Sequence, residues 1–446
     1  MRRTLHTVLL AVGVWGLPGA ALEYPLQSGL QIIFEATTAA QVAPGQSATP
    51  FAWRYELWVL GEREQGKFEA VWVFYNAPRT PQEMMGGALP LTLGKTGEKQ
   101  FPREREATYK LQETIESFLP DLSGMSAFDK VWKGPVTVRG QYISYQPLGE
   151  ANGLVRCSFA QYGEDKMDQV IGVLTTGEAF FDPQSHWLRE VQVSTTIQTP
   201  QGPQTVPQAT ARLVKVVQKD ATWVSKRREE ARAFFTALQQ HDDQLFAAND
   251  DLSAATLTLS ALSSAWETFL NENSVSIFAP LARSHLLSMQ AELPILQTLW
   301  RARKTLVGKT SPKWTLKDTA GGQVSLETLG DYPVLILFWS RLSWESLLAM
   351  RELGKIREDY GPKGLVILPI NLDQNDQEAI ESLKVMGLDM TTLRNLDPNL
   401  LTAYGVPLGM LPSMVVLDRS KKVVDVRYGW GKRVFQELRR RIEGTL

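Results

Sequence analysis

The chain has 446 residues, of which 43% are apolar and 21% are charged, and its formal net charge is −1. This length and apolar content predict about three domains, each with its own hydrophobic core. The balanced charge, without a basic cluster, argues against a nucleic-acid partner or an anionic membrane surface.

The first 21 residues have the three-part layout of a secretory signal peptide. Arg2 and Arg3 precede an apolar run from Val8 to Leu17, and small residues at Gly19 and Ala21 suit cleavage after Ala21. The apolar run is too short to span roughly 30 Å of hydrocarbon. We therefore expect an exported chain with no transmembrane segment after signal removal, located in the periplasm, with the extracellular space as the alternative. Removing residues 1–21 takes away two arginines and leaves a formal charge of −3.

Residues 22–220 predict a β-rich antiparallel domain. Its strand-like segments are rich in β-branched and aromatic residues, and they include Leu30–Phe34, Arg54–Val59, Glu69–Tyr75, Val136–Tyr145 and Trp187–Ile197. Residues 42–50 read as a loop, and residues 106–119 are a helical interruption. We expect a sandwich, half-barrel or clamp whose aromatic faces form a core or carry an apolar ligand.

Cys157 is the only cysteine of the chain, and it lies in the apolar, strand-like segment Leu154–Phe159. One cysteine cannot form an intramolecular disulfide, and a buried cysteine usually acts as a small hydrophobic residue. For an exported chain, the sequence therefore predicts stability without disulfides.

Residues 221–308 predict a helical connector, arranged as a hairpin or small bundle. Six residues spaced 4, 3, 3, 4 and 3 apart lie on one face of a helix, and all but Thr256 are apolar: Leu252, Thr256, Leu259, Leu262, Trp266 and Phe269. A preceding helix is indicated around Ala231–Leu238 and a following one around Leu286–Trp300.

Residues 309–446 predict an α/β domain. The predicted order is a hairpin, a buried strand, a helix, a second strand, two helices, a closing hairpin and a last helix. The first buried strand, Val334–Phe338, runs directly into a helical pattern. Helix starts are marked by the capping-box spacing of Asn375–Glu378 and by Asp397-Pro398.

This order resembles the thioredoxin-like domains of the TlpA, ResA and redoxin type, over the C-terminal third only. Phe338-Trp339 is similar to the family's strand end before the redox site, and Leu411-Pro412-Ser413 is similar to its cis-proline loop. The resemblance implies a cis Leu411–Pro412 bond. It also implies a groove, with Trp339, Trp344, Leu411 and Pro412 as candidates, that receives an extended protein or peptide partner.

The chain departs from the family at the redox motif, where Ser343-Trp344-Glu345-Ser346 replaces Cys-x-x-Cys. Thiol-disulfide exchange needs a thiolate, so Ser343 and Ser346 are degenerate redox positions without this chemistry. A serine nucleophile would need an adjacent base, and no histidine follows Lys309. Ser343 is instead predicted to cap the following helix.

These observations leave three hypotheses. The favoured one is a redox-inactive binding or assembly module, with no catalytic residue, metal site or cofactor. The second is a redoxin-like thiol-disulfide oxidoreductase or peroxidase that uses Cys157 or a partner's cysteine. The third is a carrier that holds an apolar ligand in the β-rich domain. A metal site is not expected, because His186, His241 and His285 are widely separated in the predicted mature chain.

Overall fold

The computed structural model describes residues 21–38, 52–76, 84–102, 109–136, 141–163, 173–199, 202–388, 390–394, 398–407 and 410–446. The predicted signal peptide up to residue 20, the predicted loop at 42–50 and Asp397 lie outside the described residues. No helix within the described ranges is both long and apolar enough to cross a membrane.

The N-terminal part forms one antiparallel sheet with the strand order β5-β4-β3-β2-β1-β11-β10-β9-β8-β7-β6. Its strands are β1 (Leu30–Thr38), β2 (Ala52–Glu64), β3 (Lys67–Asn76), β4 (Met84–Gly94), β5 (Lys99–Gln100), β6 (Trp132–Val136), β7 (Gln141–Ala151), β8 (Leu154–Gly163), β9 (Val173–Phe181), β10 (Leu188–Thr199) and β11 (Gly202–Gln218). The first and last strands pair in the middle of the sheet, where Leu30 lies opposite Gln218.

One face of this sheet curves around helix α1 (Tyr109–Phe118). Trp72 of β3, Phe118 of α1 and Trp132 of β6 belong to one hydrophobic cluster, although β3 and β6 are far apart in the strand order. A buried ion pair of 2.7 Å between Lys99 and Glu116 ties α1 to β5. The sheet is therefore a single curved layer around a helix, and it is not the two-layered sandwich that was one of the expected forms.

Three helices follow, α2 (Ala221–Asp250), α3 (Leu259–Glu272) and α4 (Ala279–Leu306). They pack on the outer face of β2 to β4 through a second cluster that includes Trp58, Phe234, Trp266 and Phe278. The α3 helix begins later than its apolar spacing suggests, because Thr258 caps it by accepting a hydrogen bond from the Ala261 amide. Leu252 and Thr256 therefore precede the helix on which they were expected.

The C-terminal part is a mixed sheet flanked by helices, with the strand order β13-β12-β16-β15-β14-β17-β18. Its elements are β12 (Thr315–Asp318), β13 (Gln323–Ser325), β14 (Val334–Trp339), α5 (Trp344–Tyr360), β15 (Val366–Asn371), α6 (Asp376–Val385), β16 (Leu393–Arg394), α7 (Pro398–Ala403), β17 (Ser413–Leu417), β18 (Val423–Tyr428) and α8 (Lys432–Glu443). The central strand β14 pairs in parallel with β15 and antiparallel with β17, and all six of its residues are buried.

A cluster of four charges joins the helical connector to the C-terminal part; Arg303, Asp425 and Arg427 are buried and Asp250 is half-buried. Arg303 of α4 lies 2.8 Å from Asp425 of β18 and 3.1 Å from Asp250 at the end of α2, and Arg427 lies 2.6 Å from Asp425. Burial alone raises the pKa of Asp250, but the nearby Arg427 and Arg303 outweigh it and hold that pKa below its usual range. The cluster fixes the two parts against each other.

Candidate functional site

The candidate site lies where β14 runs into α5. Ser343 is the N-cap of α5, and its Oγ accepts a hydrogen bond of 3.1 Å from the Ser346 amide. Glu345 occupies the first turn, where the positive end of the helix dipole favours a carboxylate. A capped helix start therefore fills the position that the resemblance assigns to a redox pair, as the sequence predicts for Ser343.

The loop before β17 approaches this helix start. The Leu411–Pro412 peptide bond is cis, as the resemblance implies. The Ser343 hydroxyl lies 3.3 Å from the Leu411 carbonyl oxygen and 3.4 Å from Glu345 Oε2, so its single proton is shared between these two acceptors. On the other side of the loop, the Gly429 amide donates to the Pro412 carbonyl at 2.8 Å. Ser343 thus bridges the helix start and the cis-proline loop.

The four candidate groove residues have different environments. Trp339 is fully buried, and its indole N–H donates to Thr392 Oγ1 at 3.0 Å, so it supports the site from within the core. Trp344 is half-buried against the core on the α5 side, and Leu411 is half-buried against the core on the opposite face of the sheet. Pro412 is buried. Close to them, Leu342 is 78% exposed and presents an apolar side chain beside the helix start.

Asp373 and Ser340 also shape the site, although neither was predicted as a site residue from the sequence. Asp373 accepts hydrogen bonds from Ser340 Oγ (2.5 Å), the Arg341 amide (2.8 Å) and Asn371 Nδ2 (2.9 Å). This network fixes the turn between β14 and α5 to the end of β15. Their positions in the sequence could have identified them, because both residues are polar and follow buried parallel strands. The carboxyl ends of such strands meet at one edge of a sheet.

Ser346 differs from Ser343 in its surroundings. It is fully buried, and its Oγ has no hydrogen-bond partner among the described residues. A buried hydroxyl without a partner loses its hydration and gains nothing in return. Ser346 is therefore an unfavourable residue at a position that an apolar group or a thiol would fill better.

Alanine substitutions at the two serines are expected to change stability in opposite directions. Ser343→Ala removes the cap and should lower the free energy of unfolding by about 1 kcal/mol. Ser346→Ala removes the buried hydroxyl and should raise it by about 1 kcal/mol. Urea unfolding of both variants beside the wild-type chain measures the difference, and a loss of stability in both variants would contradict this account of Ser346.

Cys157 lies in β8, in the core of the curved sheet rather than in the C-terminal part. It is fully buried, and burial raises the pKa of its thiol to about 12. Because thiolates are the reactive form, this thiol is inert at neutral pH in the folded chain. The geometry of Cys157 therefore gives no support to a peroxidatic role.

The reactivity of Cys157 gives a direct test. Iodoacetamide at pH 8 should leave the native chain unlabelled and label it once in urea, because only unfolding exposes the thiol. Since the folded pKa is raised, this thiol contributes stability that is intact below about pH 8.5 and is lost as pH rises toward 12. Rapid labelling of the native chain would show that β8 opens.

Two comparisons with known proteins concern the same C-terminal part. Residues 307–426 match the model of the AhpC/TSA family. The thiol-disulfide oxidoreductases ResA of Bacillus thuringiensis (strain Al Hakam) and Bacillus anthracis are each 24% identical to this chain over 143 residues, which is 32% of this chain and 78% of each relative.

Together with the strand order and the cis-proline loop, these matches decide the fold. The C-terminal domain is thioredoxin-like.

Among solved structures, the thioredoxin domain of a thiol-disulfide oxidoreductase from Bacteroides vulgatus is 18% identical, covers 30% of this chain and 97% of its own, and has a TM-score of 0.28. A thiol-disulfide oxidoreductase from Bacteroides fragilis is 20% identical, covers 30% and 98%, and has a TM-score of 0.27. In this domain, Ser343 and Ser346 occupy the positions that the resemblance assigns to the redox pair.

Proposed function

We propose that this chain is an exported, periplasmic protein whose thioredoxin-like domain is a redox-inactive binding module. The observation that carries the proposal is the double hydrogen bonding of Ser343, which caps α5 and contacts the Leu411 carbonyl. The helix start and the cis-proline loop are held together by structural contacts, and the domain contains no thiol. The predicted signal peptide supports the location.

A protein or peptide partner would contact the surface beside this bridge. Leu342 offers an exposed apolar anchor, and half-buried Trp344 and Leu411 lie on either side of the helix start and the loop. Aromatic and aliphatic anchors of this kind contribute most of the affinity at many interfaces. Because Arg341 forms an ion pair with Glu378 beside them, the surface also has a polar rim.

Display of random extended peptides against the full chain tests this proposal. Peptides that bind the wild-type chain should bind Leu342→Asp at least about tenfold more weakly, a loss of about 1.4 kcal/mol. Leu287→Asp is the matched control, because Leu287 is 63% exposed on α4, away from the site. Enriched peptides that bind Leu342→Asp normally, or the absence of enriched peptides, would contradict a binding surface at this site.

An oxidoreductase role remains the competing function, because the ResA relatives are named as thiol-disulfide oxidoreductases. The wild-type chain should not accelerate the reduction of insulin by dithiothreitol, since serine forms no disulfide. Turnover that disappears in Cys157→Ser would overturn the redox-inactive proposal in favour of this alternative.

A further inference from the structure

A cleft of about 540 Å³ lies on the outer face of the curved sheet, between β3, β4 and helix α2. Strand β5 pairs with two residues of β4 beside it, and Gln100 and Phe101 line the cleft at this end. Val71, Pro90, Phe101 and Phe235 contribute an apolar wall. The volume lies within the range of about 300–1,000 Å³ that is typical of small-molecule sites.

One end of the cleft carries an excess of positive charge. Glu69 lies 3.4 Å from Arg63, 3.4 Å from Arg228 and 3.6 Å from Arg232, so three guanidinium groups share one carboxylate. These distances exceed the roughly 2.7–2.9 Å of a charge-assisted hydrogen bond. Arg63 and Arg232 line the cleft, and their side chains are 59% and 65% exposed. Their donors therefore face a site that they can share with a second anion.

Aromatic rings occupy part of the inner face of the sheet beside α1. Phe118 of α1 stacks on Phe34 at a centroid distance of 5.2 Å and lies 5.7 Å from Trp72. These rings occupy the concave side beside β1 and β3 with the chain's own side chains. The cleft beside α2 is on the other face of the same sheet.

We propose that this cleft binds a single-chain amphiphile with one anionic headgroup. The apolar chain lies along Val71 and Phe235, and the headgroup accepts hydrogen bonds from Arg63 and Arg232. Two arginines and one glutamate line the cleft, so the lining carries one net positive charge and matches a monoanion such as a carboxylate. The planar guanidinium groups suit a carboxylate because they donate two parallel hydrogen bonds. This site is separate from the binding surface proposed for the thioredoxin-like domain.

Calorimetric titration of the full chain with dodecanoate, below its micellar concentration, tests the proposal. We expect one bound molecule per chain, with an affinity at least about tenfold higher than for dodecyltrimethylammonium, which has the same chain length and the opposite charge. Acetate, which lacks the apolar chain, should not bind measurably. Equal affinity for the two amphiphiles, or no binding of dodecanoate, would overturn the proposal.

Two kinds of variant locate the binding. Arg232→Gln should weaken dodecanoate binding about tenfold, whereas Arg212→Gln should leave it unchanged, because Arg212 is 67% exposed on β11 and pairs with Glu190. Thr92→Trp places a bulky ring in the cleft and should abolish binding without removing a charge. Far-ultraviolet circular dichroism confirms that each variant is folded. Unchanged binding in both Arg232→Gln and Thr92→Trp would show that the amphiphile binds elsewhere.

Discussion

The double variant Ser343→Cys/Ser346→Cys is expected to form a disulfide and to gain insulin-reductase activity that the wild-type chain lacks. The two positions are the cap and the third residue of one helix start, close enough for the Ser343 Oγ to reach the Ser346 amide at 3.1 Å. The helix N-terminus lowers the pKa of a thiol at the cap, which supplies the thiolate that exchange requires. Thiol counting before and after oxidation measures the disulfide, and dithiothreitol-driven insulin reduction measures the activity.

The two single variants are the controls for this experiment. Each carries one new thiol and cannot form the internal disulfide, so neither should turn over insulin. A double variant that oxidises but does not turn over insulin would show that the packing of the cis-proline loop against the helix start denies a substrate access to the site. A double variant that does not oxidise would contradict the described geometry of the helix start.

Arg303→Ala is expected to destabilise the chain by about 3–5 kcal/mol, because it leaves the two carboxylates Asp250 and Asp425 sharing Arg427, so that carboxylate charge in the cluster is no longer balanced. The Arg303 side chain is 3% exposed and contacts both Asp250 and Asp425. Urea unfolding of the full chain measures the loss, and the double variant Arg303→Met/Asp425→Leu should recover much of it, because both charges are then removed.

Arg301→Ala is the matched control. Arg301 is exposed on the same helix and donates a hydrogen bond of 3.3 Å to Gln297, so its loss should change stability by less than about 0.5 kcal/mol. The loss of stability in acid provides a second test of the charged cluster. Because the folded pKa of Asp250 is lowered, its contribution to stability is present above about pH 4 and is lost as pH falls below that value. An Arg303→Ala chain as stable as Arg301→Ala would contradict a structural role for the cluster.

The thioredoxin-like domain was the most predictable part of the chain, because its signals are local. The unbroken apolar run of β14, the cap at Ser343 and the Asn375 cap of α6 each depend on neighbouring residues, and all three are present in the structure. Strand β16 was missed, since two residues carry no periodic signal. It matters for the fold because it connects the first hairpin to β15.

The parts that escaped prediction depend on contacts between distant residues. The spacing of Leu252 and Thr256 fitted a helix, but the cap at Thr258 set a later start. Nothing near Arg303 in the sequence indicates that it meets Asp425, more than one hundred residues away. The same distinction between local and distant contacts applies to the candidate site. The helix cap at Ser343 could be predicted from neighbouring residues, whereas its contact with Leu411 and the burial of Ser346 could be seen only in the structure.

The pairing of β1 with β11 has a consequence for biogenesis. During synthesis, β1 emerges first and has a partner on one side, β2, soon afterwards, but its other neighbour is the last strand of the domain. One edge of β1 therefore stays open until the entire sheet has been translated, and an open edge is a template for mispairing. The long separation in sequence between β1 and β11 gives their pairing a high contact order. A high contact order slows folding and so prolongs the exposure of that edge. We therefore expect nascent chains that stall before β11 to aggregate more readily than complete chains.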